Sequence, residues 1–139
     1  MTPVVCRVKH DPENGTYGDC LRACVATILD FDAEQVPHFA DGNASAREVY
    51  DALTNWLSTF NLVPFYSCYP GSASRDDMLE MMGELNPTAT YMLFGSTVSG
   101  DHVVVCQGGQ VVHDPAWYGT GLIGPGSNTF WTVVVIARK

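Results

Sequence analysis

Positive charge is what this sequence has least of. Its 139 residues carry seven Lys and Arg against fifteen Asp and Glu, a formal charge of −8. Nucleic-acid backbones and anionic membrane surfaces both demand a basic face, so neither is expected as a partner. Long apolar runs are missing too. No stretch approaches the ~20 residues that a membrane helix needs. The opening residues, MTPVVCRVKH, have neither the basic start nor the long apolar centre of a signal peptide. Dense cysteine pairing is also absent. Five cysteines is an odd number, without the spacing of a disulfide scaffold or the close CxxC pairs of structural zinc. The expectation is a cytoplasmic chain with reduced thiols and no metal or cofactor.

What is present fits one domain over residues 1–139, with 46% apolar residues to build a core. Residues 3–9 (PVVCRVK) read as a short valine-rich strand. A loop from His10 to Gly18 leads into a helix from about Asp19 to Leu29, with Asp19 as N-cap. Ser45 and Glu48 form a capping-box pattern before a second helix, whose apolar stripe is Val49, Leu53, Trp56, Leu57 and Phe60. Residues 62–68 look extended, and Pro64 assigns them to a sheet edge or a strand start. A third helix spans about Arg75 to Leu85. Four β-type runs follow at 89–95, 102–107, 110–114 and 129–137, with a Gly108-Gly109 hairpin signal between the second and third. A helical part (about 19–86) ahead of a sheet part (about 89–137) makes the expected class α+β, with N-terminal helices packed on a C-terminal antiparallel sheet.

Among the five cysteines, Cys6, Cys24, Cys68 and Cys106 lie in apolar segments and read as small core residues. Cys20 differs. It falls in the first turn of a helix, where unpaired N–H groups and the positive end of the macrodipole favour a thiolate. A thiol nucleophile needs a base, and the base needs an orienting acid. Of the histidines, His10 and His38 sit beside prolines and read as surface or packing residues. His102 opens one strand, while His113 and Asp114 close the next. A regular ladder across a two-residue Gly108-Gly109 turn puts His102 and His113 on one face and Asp114 on the other. His102 meets Asp114 only if the ladder slips by one, through a bulge or a longer loop. Otherwise His113 is the better base, or Asp101 the better acid.

With these residues in view, the chain resembles the papain-like cysteine peptidase superfamily. It looks closest to double-glycine leader peptidases and to a group of phage and bacterial papain-like proteins. The matching pieces are Gly18-Asp19-Cys20 with Ala23-Cys24, the segment Val36-Pro37-His38-Phe39, the His102-Val103-Val104-Val105 strand, and Asp114-Pro115. The resemblance implies a Cys20–His102–Asp114 triad that hydrolyses a peptide or isopeptide bond of a protein or peptide substrate. It also implies the cytoplasm of a bacterium or a phage-infected bacterial cell. Where those peptidases carry an oxyanion-hole Gln, six residues before the cysteine, this chain has Asn14. Tyr17, Gly18, Asp101, Trp117 and Tyr118 are the expected substrate-lining residues. An amidase or a transglutaminase- or phytochelatin-type transferase on the same triad is the alternative enzyme, and a non-catalytic binding module the alternative outside catalysis.

Overall fold

The computed structural model describes residues 1–117, 119 and 121–139. Among them are three α-helices, α1 (Cys20–Leu29), α2 (Ala46–Ser58) and α3 (Arg75–Leu85). Five strands, β1 (Leu62–Pro70), β2 (Thr90–Thr97), β3 (Gly100–Gln107), β4 (Gln110–His113) and β5 (Phe130–Arg138), form one antiparallel sheet in the order β1-β5-β2-β3-β4. The class is mixed α and β. The expected division into a helical part and a later sheet part does not hold. β1 falls between α2 and α3 and pairs with β5 along its whole length. Its edge position accommodates Pro64, which has no N–H to give to a second neighbour.

Helices cover both faces of the sheet. Met92, Val103, Val105 and Val134 pack with α1 and α2, whereas Tyr91, Leu93, Val104, Trp131 and Val133 pack with Met78 and Met82 of α3. Alternation along β2, β3 and β5 supplies one apolar residue to each side at every step, which is why these strands read as continuous apolar runs. α1 is the most enclosed helix, with Ala23, Cys24, Val25 and Ala26 all at 0–1% exposure. Its alanines allow close approach to the sheet, and Cys24 Sγ lies 3.5 Å from the Val103 carbonyl oxygen. α2 has the expected capping box, Ser45 Oγ accepting from Glu48 N, and it buries Leu53 and Leu57. α3 has a second one, formed by Ser74 and Asp77. Phe60 lies past the end of α2 and is exposed, although its ring meets Trp56 edge-on and Phe31 at a tilt.

Residues 3–9 are not a strand. Their N–H groups bond instead to side chains and to one loop carbonyl. Val4 N donates to Thr27 Oγ1, Cys6 N to Pro115 O, and Arg7 N and Val8 N to Asp19 Oδ1. The segment is thereby strapped between α1 and the residues after β4. Cys6, Cys24 and Cys106 are buried as expected, but Cys68, on the edge strand β1, is exposed. Among the described residues no helix is long and apolar enough to cross a membrane.

Candidate active site

α1 begins at Cys20, one helical turn before the cysteine that touches Val103, so the helix start overlies the beginning of β3. His102 is there. It is 8% exposed, and its Nε2 lies 2.7 Å from Asp114 Oδ1. The acid reaches the ring because the β3–β4 ladder slips. Gln107 pairs with Gln110 and Cys106 with Val111, but Val105 pairs with His113. One extra residue, Val112, is accommodated in a bulge, which turns Asp114 onto the face of His102. The bulge sits two residues past the glycine turn and not in it.

The electrostatics follow from this placement. Burial opposes charge on His102. Hydrogen bonding to Asp114 and to Cys20, with the negative charge of both, outweighs it and pushes the ring up to about 9. Burial likewise opposes charge on Asp114. The bonds from His102 and from Ala116 N–H outweigh it, and the carboxyl is held below its usual range. His102 is therefore a protonated ring at neutral pH, held between a carboxylate and a cysteine.

The remaining histidines have other partners. His113 Nε2 donates to Val4 O at 2.7 Å and anchors the N-terminal strap. His38 Nε2 donates at 2.7 Å to the carbonyl of Tyr17, and so holds the loop ahead of Cys20. Asp101 does not orient His102. Its two oxygens accept from Ser127 N at 2.7 Å and Ser127 Oγ at 2.6 Å, which pins the residues just before β5 to the start of β3.

Asp19 precedes α1, but its side chain makes no capping bond. The buried carboxylate instead accepts from Arg7 N, Val8 N and the Arg22 guanidinium. The first-turn N–H groups around Cys20 are thus left uncapped by the Asp19 side chain.

A cavity of about 480 Å³ opens beside Cys20 and His102. Tyr17, Gly18 and Asp101 line it, and Val49, Tyr50 and Phe94 give it an apolar wall. Trp117 is 68% exposed, while its neighbours Ala116 and Gly119 lie at the cavity wall. Tyr118 lies outside the described residues. Asn14 is a correction. It is exposed at the end of a 3-10 turn, Pro12–Asn14, and its Nδ2 donates to Asp11 Oδ2 at 2.6 Å. The Asp11–Thr16 bridge closes that loop on itself, and Asn14 is not among the residues that line the cavity. His10, which the sequence reads as a surface or packing residue, is exposed and also lines the cavity. The available signal was Gly18, since a side chain there would meet His10 Cβ at 3.0 Å.

Among the described residues no three His, Cys, Asp or Glu side chains are grouped as a metal site requires. Comparisons with protein-family models, with curated proteins and with solved structures gave no match.

Proposed function

We propose that the protein is a papain-like cysteine peptidase or amide hydrolase working through Cys20, His102 and Asp114. The observation that supports this reading is the 2.7 Å His102–Asp114 contact in a cavity where Cys20 acts on the same ring. The Cys20 sulfur, its proton already held by His102, attacks the amide carbonyl carbon as a thiolate, so that a C–S bond forms and the carbonyl π electrons move to oxygen. The Cys20 N–H at the start of α1 stabilises that oxyanion. The imidazolium of His102 then protonates the leaving nitrogen as the C–N bond breaks. Water, deprotonated by His102, hydrolyses the thioester and returns the thiol. Asp114 keeps Nε2–H directed at itself and leaves Nδ1 as the atom that exchanges protons with Cys20.

Site-resolved alkylation tests the reading. Iodoacetamide labelling is followed at Cys20 by peptide mass spectrometry in a Cys68→Ser background, because Cys68 is also exposed. Cys20 is expected to label at pH 6–7 faster than a free thiol, and His102→Ala is expected to abolish the advantage. Labelling no faster than free cysteine at any pH sinks the enzymatic reading and favours a binding module. Product masses with and without added amines then separate a hydrolase from a transferase.

A further inference from the structure

The oxyanion of the proposed reaction needs a second donor, and the Asn14 amide is engaged by Asp11 and does not line the cavity. His10 lines the same cavity as Cys20 and His102, and its Nδ1 lies 3.1 Å from Gly18 N. A backbone N–H can only donate, so Nδ1 is the acceptor and the ring's proton sits on Nε2. Tyr17 packs edge-on against the ring, with centroids 6.1 Å apart, and fixes its tilt. Gly18 admits the ring because it has no Cβ to meet His10. The ring is therefore fixed by the two residues before Asp19-Cys20, with one N–H left to donate.

We propose that His10, through Nε2–H, is the second oxyanion donor of the Cys20 site. The inference rests on the acyl-transfer reading above and completes it. Such a donor acts only when a carbonyl oxygen takes up charge, so it assists acylation and not alkylation. With p-nitrophenyl acetate as probe, sulfur attacks the ester carbon, oxygen takes the π electrons, and p-nitrophenolate leaves as the thioester forms. With iodoacetamide, sulfur displaces iodide at a saturated carbon and no oxyanion appears.

Two variants separate donation from support. His10→Asn puts an amide oxygen where Nδ1 stands, which keeps the Gly18 bond but leaves nothing at the Nε2 position. His10→Gln reaches the Nε2 position with an N–H. His10→Asn is expected to slow p-nitrophenolate release about a hundredfold while its Cys20 alkylation rate stays within about twofold, and His10→Gln to recover most of the loss. Equal slowing of acylation and alkylation, or His10→Asn acylating like the unaltered protein, overturns the donor role. An unaltered Cys20 that is neither acylated nor rapidly alkylated removes the underlying acyl-transfer reading as well, and so is distinguishable from failure of His10 alone.

Discussion

Val105 lies opposite His113 in the β3–β4 ladder, one residue later than a regular hairpin closed by Gly108-Gly109 would place it. That slip brings Asp114 to His102. Inserting one alanine between His113 and Asp114 leaves the bulge in place, moves the carboxylate one step along the strand and turns it to the other face. The insertion variant is expected to keep its circular dichroism spectrum and to lose as much p-nitrophenyl acetate acylation as Asp114→Ala, on the order of 10²–10⁴-fold. An insertion variant that acylates at the original rate contradicts the role given to the register.

The pH dependence of stability follows from His102. Its folded-state value, about 9, lies above the roughly 6.5 of an unfolded histidine. A raised value means that the folded state binds the proton more tightly. The stabilisation is then complete below about pH 6.5 and is lost as pH rises through 9. Asp114 acts in the opposite sense at low pH, since its depressed value stabilises the fold above the ordinary carboxylate range and is lost as pH falls through it. Urea unfolding of the protein and of His102→Ala is expected to differ by on the order of 1–3 kcal/mol more at pH 6 than at pH 10. A gap that stays constant with pH shows that the ring is not held charged.

Asp19 is the buried anchor of the N-terminal strap. Asp19→Ala leaves two backbone N–H groups and the Arg22 guanidinium without their acceptor, and is expected to destabilise the fold by roughly 2–4 kcal/mol. Asp19→Asn retains an oxygen for Arg7 N and Val8 N and is expected to lose less. Chemical denaturation of both variants checks the order.

Gly108 is fixed by two independent constraints. Its φ is +55°, and a Cβ there would lie 2.4 Å from Pro87 O. Its carbonyl also accepts from Tyr91 Oη at 2.7 Å, so the turn cannot simply move away. Gly108→Ala is expected to destabilise by about 2 kcal/mol or more, and Gly109→Ala by a different route, through contact with Leu79 O at 3.0 Å. Thermal melts of both variants measure the effect.

Local chemistry by itself determined a good part of this protein. The helix at Cys20–Leu29, the Ser45–Glu48 cap, the edge character of a strand containing Pro64 and the Gly108-Gly109 turn each depend on neighbours within a few residues. Cys20 was legible for the same reason, since a helix start is a local feature. What depended on distant partners was not. Residues 3–9 have the composition of a strand, but Asp19 and Thr27 hold their N–H groups from another element. Asn14 occupies the expected spacing before Cys20, but the loop closes on itself and Asp11 holds its amide. His10 gained its place only when Gly18 folded back against it. The choice between His102 and His113 depended on a single bulge, whose position no periodicity reveals because a ladder slip leaves the sequence pattern unchanged. The helix-start cysteine was written in the sequence, but His102 and Asp114 were brought together by the sheet.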